Sequence, residues 1–160
     1  MEKITVLGIG NILLGDEGLG VRAVELLTKR FQLPPEVQVL DGGCLGMELY
    51  PFLDGTTKLL VVDAIDAQLL AGDCSKICGE DVLKYFRNKL SVHEIGISEV
   101  LAALDLVGCP IREVVIIGIK PAVLDVGLEL SDIVLSALPR LVDLIADQLR
   151  EWHVSILKLY

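Results

Sequence analysis

The 160-residue chain has only two histidines, few basic residues and no long apolar run, and each shortage narrows what it can do. Hydrophobic residues make up 52% of it, yet every apolar run is broken by a charge, a glycine or a proline. None reaches the roughly 20 residues a membrane helix needs, so a soluble chain without membrane insertion is expected. Met1-Glu2-Lys3-Ile4-Thr5-Val6 enters a strand pattern at once, without the basic stretch, apolar core and small-residue cleavage site of a signal peptide. A cytoplasmic location is therefore expected. Lysine and arginine number 14 against 23 aspartates and glutamates, a formal charge of −9. Nucleic acid is a poor partner for such a chain, because binding it needs clustered cations to displace counterions. Cysteine is sparse: Cys44, Cys74, Cys78 and Cys109. Cys74-x-x-x-Cys78 lacks the second pair a structural zinc wants, so free thiols are expected. Internal repeats, low-complexity segments and linkers are absent, which leaves one domain spanning 1–160.

Strand and helix patterns alternate. Lys3 to Gly8 reads as a buried strand, and Gly18 to Arg30 as a helix whose Val21, Val24, Leu27 and Phe31 form one stripe. Val37 to Leu40 is a second strand, expected to stop in a turn at Asp41-Gly42-Gly43. A short helix is expected from Gly46 to Leu53. Lys58 to Val62 is apolar without alternation, as a strand covered on both faces should be. Ser75 to Cys78 is a weaker strand pattern, Glu80 to Asn88 a helix, and Ser98 to Leu106 another, which leaves His93 in a loop between helices. Glu113 to Ile119 is a β-branched strand. Ser131 to Trp152 is a long last helix with Ile133, Leu141, Leu144 and Ile145 facing inward, and Pro139 within it predicts a kink or a late start. The sum is a single-domain α/β fold: a twisted, mostly parallel sheet of about five strands with helices on both faces.

In open α/β sheets, sites form beyond the carboxyl ends of the strands. Here the first strand ends in Gly8-Ile9-Gly10-Asn11-Ile12-Leu13-Leu14-Gly15-Asp16-Glu17, the second in Asp41-Gly42-Gly43 and the third in Asp63-Ala64-Ile65-Asp66. Any one acid at a strand end is ordinarily a cap or turn former. Three consecutive strands delivering carboxylates to one rim are a candidate site. A dinucleotide fingerprint fits poorly, since Leu13 stands where the third glycine belongs and Asp16 and Glu17 would face a pyrophosphate, although Asp41 has the place of a ribose-binding acid. Of the two histidines, His153 beside Trp152 reads as a surface residue.

Taken together, Gly8 to Gly18, Asp41-Gly42-Gly43, Val61-Val62-Asp63-Ala64 and Ser91-Val92-His93-Glu94-Ile95-Gly96 resemble the hydrogenase maturation protease family over nearly the whole chain. The resemblance implies an α/β endopeptidase that removes the C-terminal extension of a nickel-loaded [NiFe]-hydrogenase large-subunit precursor. It further implies a metal site of Glu17, Asp63 and His93, which map onto the family's acid after the first strand, aspartate after the third and later histidine. Asp41, Gly42 and Gly43 would line the substrate groove. Cys44 stands where the family commonly has a small hydroxyl residue, and Val92 where some members have proline. Two carboxylates and an imidazole suit nickel, supplied by the precursor, with zinc or cadmium as surrogates, and three protein ligands leave positions open for chemistry. A metal-bound water with Asp16, Asp41 or Asp66 as base would then hydrolyse the bond. The chain lacks the H-E-x-x-H helix of zinc proteases and the G-x-S-x-G elbow of serine hydrolases. A non-catalytic chaperone that only holds the nickel-loaded precursor would use the same ligands.

Overall fold

The computed structural model describes residues 2–66, 69–88 and 92–160, with side chains in the last range from residue 96 onward. Its main sheet contains β1 (Ile4–Ile9), β3 (Val37–Gly43), β4 (Lys58–Ala64), β5 (Cys74–Ile77) and β6 (Glu113–Ile119), in the order β3-β1-β4-β6-β5. The first four run parallel, and β5 closes the edge antiparallel to β6. The helices are α1 (Leu19–Arg30), α2 (Tyr50–Leu53), α3 (Asp81–Asn88), α4 (Val92–Leu106) and α5 (Asp132–Glu151). This is the expected single-domain α/β architecture. Among the described residues no helix is long and apolar enough to cross a membrane.

Alternating side chains of the central strands feed two cores. Ile4, Val6, Leu60, Val62, Val115 and Ile117 pack on one face against α1 and α5. Leu7, Ile9, Leu59, Val61 and Ile116 pack on the other against Leu53 of α2, Phe86 of α3 and Val100 and Leu104 of α4. Strands so covered have no polar face to show, hence their unbroken Val and Ile runs. After β1 the chain crosses to β3 on one side, then returns to place β4 on the other, so the strand order reverses between β1 and β4.

Several local expectations are corrected. His93 does not lie in a loop, because its backbone belongs to the first turn of α4, which begins at Val92 rather than Ser98. Gly96 does not break that helix: it is buried, and a Cβ there would meet Gly46 Cα at 2.4 Å, so its small size serves a close contact. The strand before Asp41-Gly42-Gly43 does not stop there but runs through Gly43, with a bulge where Gly8 pairs Asp41 and Ile9 pairs Gly43. Pro139 neither delays nor divides α5, which is continuous from Asp132. Pro139 and Leu135 both lie on the exposed side, where water can take the carbonyl bond that proline leaves unmade. Ile133 is 48% exposed, whereas Leu141 and Ile145 are buried and Leu144 packs at the core's margin. A two-stranded antiparallel ribbon, β2 (Phe31–Gln32) with β7 (Leu157–Lys158), was not anticipated.

The start of α1 is pressed against the sheet at the reversal. A Cβ on Gly20 would lie 2.2 Å from Val62 O and 2.5 Å from Ile9 O, backbone atoms of the two strands that flank the crevice. Neither strand can yield without breaking its ladder. Gly20→Ala is expected to lower stability by roughly 1–3 kcal/mol or more, as overpacking a core does. Gly127→Ala, with nothing within 4 Å of the new Cβ, is expected to change it little. Thermal melts of both variants check the contrast.

Candidate active site

The strand order reverses between β1 and β4, and it is in the crevice above the carboxyl ends of strands at such a reversal that open α/β sheets bind their ligands. Residues 10–18 leave β1 and enter α1 through a 3-10 turn, Gly15–Gly18, that carries Asp16 and Glu17 and packs against β4. A dinucleotide loop would pass directly from strand to helix, and Leu13, in the third-glycine position, is 56% exposed.

Asp16 and Glu17 are adjacent but differ in exposure. Asp16 is fully buried. Its Oδ2 accepts from Ala122 N at 2.9 Å, Val123 N at 2.8 Å and Ser131 Oγ at 2.7 Å, and its Oδ1 accepts from Ser131 N at 2.7 Å. Burial by itself raises its pKa, but the donors of Val123, Ser131 and Ala122 together hold the carboxyl below its ordinary value. A saturated, enclosed, weakly basic carboxylate is a structural anchor and a poor proton acceptor. Backbone bonds extend the same junction: Gly15 N donates to Gly127 O at 2.9 Å, Asp16 N to Val123 O at 2.8 Å and Gly127 N to Leu13 O at 2.8 Å. Glu17, half-buried, sits on the turn thus fixed.

Asp63 lies in β4 near its end, opposite Gly118 of β6, and is fully buried. Ala64 N donates to its Oδ1 at 2.8 Å and the Tyr85 hydroxyl donates to its Oδ2 at 2.5 Å. Gly118 of β6 lets the backbone close around it, since a Cβ there would meet Asp63 O. Glu17 and Asp63 therefore come from elements on either side of the crevice. The backbone of His93 opens α4, and its side chain lies outside the described residues. Among the described residues no three His, Cys, Asp or Glu side chains gather as a metal cage.

Asp41 is exposed at the end of β3, its Oδ1 accepting from Gly43 N at 3.0 Å. Gly42 is buried, and a Cβ on it would meet Leu7 Cδ1 at 2.7 Å, so it faces the core. Gly43 is partly exposed, takes φ 46°, and has only Asp41 Oδ1 near its missing Cβ. Of these three, Asp41 and Gly43 are the ones open to a ligand. Asp66 is paired with Lys120 Nζ. Cys74 and Cys78, the sparse zinc candidates, are free thiols, and burial pushes the Cys74 thiol up, with Arg140 opposing and Asp73 adding. His153 is exposed, as expected.

The sequence profile of the hydrogenase maturation proteases matches residues 21–148. This chain belongs to the hydrogenase maturation protease family. It is 37% identical to the hydrogenase 2 maturation protease of Escherichia coli over 154 residues, covering 96% of this chain and 94% of that protein. It is 41% identical over 158 residues to the hydrogenase expression/formation protein HupD of Bradyrhizobium diazoefficiens, covering 97% of this chain and 82% of the other. The solved structure of the hydrogenase maturating endopeptidase HybD from E. coli superposes with a TM-score of 0.92 at 35% identity, over 98% of this chain and 97% of that one. Membership of this family makes the chain a peptidase. Sequence reasoning missed Tyr85, which no motif marks, and the anchoring role of Asp16, whose partners lie over a hundred positions away.

Asp16→Asn sets an amide N–H₂ against donors that need an acceptor, and is expected to cost on the order of 3 kcal/mol at neutral pH. The folded pKa lies below the unfolded value of 3.8, so the carboxylate's contribution is complete above that value and disappears as pH falls through the folded one. Urea unfolding of both proteins is therefore expected to show a gap that narrows in acid. A gap independent of pH would contradict the anchor.

Proposed function

We propose that this protease removes the C-terminal extension of a nickel-loaded [NiFe]-hydrogenase large-subunit precursor in the cytoplasm, and that the precursor's nickel is what it recognises through Glu17, Asp63 and His93. What supports the proposal is that Asp63, near the end of β4, and Glu17, on the turn that follows the adjacent β1, both stand at the carboxyl ends of neighbouring strands in a member of this family. Two carboxylates and an imidazole accept nickel, and would accept zinc or cadmium in its place. The metal would come with the substrate, and Glu17 and Asp63 would hold it with oxygen donors from separate elements. Held there, it would supply polarisation of the scissile carbonyl and activation of water. Asp41 and Gly43 border the path of the tail, and Asp41, exposed beside the crevice, is better suited than buried Asp16 or ion-paired Asp66 to take a proton.

Exposed apolar side chains crowd the same rim: Leu13, Val123, Leu124, Val126 and Leu128, with Ile12 at its margin. Such a patch fits a protein substrate better than a free peptide. Holding without cutting, the chaperone alternative, uses the same ligands, but membership of a protease family favours hydrolysis.

Incubation with nickel-loaded and nickel-free precursor, read by mass spectrometry, tests the proposal. A short C-terminal peptide is expected from the loaded form alone, and Glu17→Ala or His93→Ala is expected to slow its release on the order of 100-fold. Equal cleavage of both precursors would overturn nickel recognition, and co-elution without a released peptide would overturn proteolysis. Elemental analysis of enzyme purified without chelators is expected to find little metal, because three ligands on separate elements bind more weakly than four-thiolate zinc sites.

A further inference from the structure

We propose that the rim of Leu13, Leu124, Val126 and Leu128, with Asp125 and Glu129 set among them, docks the folded body of the substrate through an apolar patch ringed by lysine and arginine. The inference rests on the proposed precursor substrate and not on the metal ligands. Leu14 and Gly127 form an isolated parallel bridge, in which Gly127 N donates to Leu13 O and Gly15 N donates to Gly127 O. The segment after β1 and the segment after β6 thus make one surface. Leu13, Val126 and Leu128 flank that bridge, and all three are exposed, Val126 to 87%. Asp16 holds the loop at both ends, accepting from Ala122 N and Val123 N on one side and from Ser131 N on the other. Apolar side chains are therefore presented outward on a backbone that is tied down. A patch of this kind marks a surface meant for contact.

Charge selects the occupant. Residues 9–21 and 121–139 contain no lysine or arginine. Asp125 stands between Leu124 and Val126, and Glu129 follows Leu128. Both acids are exposed, and among the described residues neither is in an ion pair. Arg22 and Lys29 line a groove with Glu129, but they belong to α1, and Arg22 is paired with Glu25 at 3.5 Å. Uncompensated carboxylates within an apolar patch call for a partner that brings cations to the same places. A second copy of this chain does not fit. In a two-fold contact the patch would meet itself, acid against acid, in a chain of formal charge −9. Nucleic acid is repelled by the same sign.

Binding of the enzyme to immobilised nickel-loaded precursor, with thermal melts and sedimentation of the enzyme alone, tests the inference. The double variant Val126→Ser, Leu128→Ser is expected to bind about 10–100-fold more weakly with an unchanged Tm, since neither side chain is packed in the free enzyme. Leu106→Ser, at a position 88% exposed at the end of α4, is expected to bind like the wild type. Wild-type binding is expected to weaken as salt rises, and Asp125→Lys to bind more weakly at low salt with a smaller salt dependence. Wild-type affinity in the double variant, or an equal loss in Leu106→Ser, would overturn the docking surface while leaving the substrate reading intact. A salt-independent affinity would overturn the basic partner. A dimer of the wild type that the double variant abolishes would assign the patch to a second copy. Failure of the wild type to bind the precursor would overturn the substrate reading and the docking with it.

Discussion

One buried negative charge organises the top of this molecule. The Asp16 carboxylate ties the segment after β1 to the segment after β6 and to Ser131, whose hydroxyl also accepts from Val134 N as the N-cap of α5. An isolated carboxylate in that position would be prohibitive, and four donors make it tolerable. The same arrangement orders a stretch between β6 and α5 that buries little apolar surface of its own. Residues 121–129 are largely exposed, with no helix or strand of their own. Because Glu17 is the next residue on a turn whose other end enters α1, the anchor also decides where Glu17 stands. Asp16 gives up its basicity to this hydrogen-bonded burial and becomes a fixed point for the turn.

The glycines at the crevice act in the same direction. Gly20 brings the backbone of α1 against both Val62 and Ile9, and Gly118 brings β6 against the carbonyl of Asp63. Backbone against backbone leaves no side chain to rearrange, so the strand ends that bear the acids are held by contacts that do not flex. On the proposed reading the site discriminates between metal-loaded and metal-free forms of one partner and would gain from such rigidity, since discrimination depends on contacts that differ between the two forms.

Much of this was legible in the sequence, and the failures have physical causes. The β-branched runs of β4 and β6 and the stripe of α1 declare themselves because burial on both faces, or on one, imposes a period. Asp63 and Glu17 are conspicuous because acids at strand ends stand out against apolar runs. Their reading as metal ligands came from resemblance to a family and not from spacing. The start of α4 was placed too late, at Ser98, because what seats its first turns, the close contact of Gly96 with the backbone of Gly46, lies far away in sequence. Gly42 misled: paired glycines promised a turn, whereas one fills a bulge over Leu7 and the other takes a positive φ beside it. The β2 and β7 ribbon is two residues long on each side, too short for any period. Tyr85 was invisible because a tyrosine on an amphipathic helix is ordinarily core, and only the fold puts its hydroxyl on Asp63.

On the proposed reading, what distinguishes this arrangement from a resident metalloprotease is where its order resides. Asp63 is bonded to Ala64 and Tyr85, and the turn that carries Glu17 is held by the Asp16 junction, so on that reading the oxygen donors would need little reorganisation to receive an ion. Preorganisation raises affinity, while the small number of ligands and their hard, oxygen-rich character lower it relative to thiolate cages. On the proposed reading these opposing tendencies fit a site that takes hold of an ion already seated in another protein without extracting it. The remaining binding energy must then come from the partner's surface. The apolar segment 123–128, bonded through Gly127 and Val123 to the turn that carries Glu17, is in the right place to supply it. Docking on that rim and contact with the ion would be felt by one rigid junction, so neither would suffice without the other.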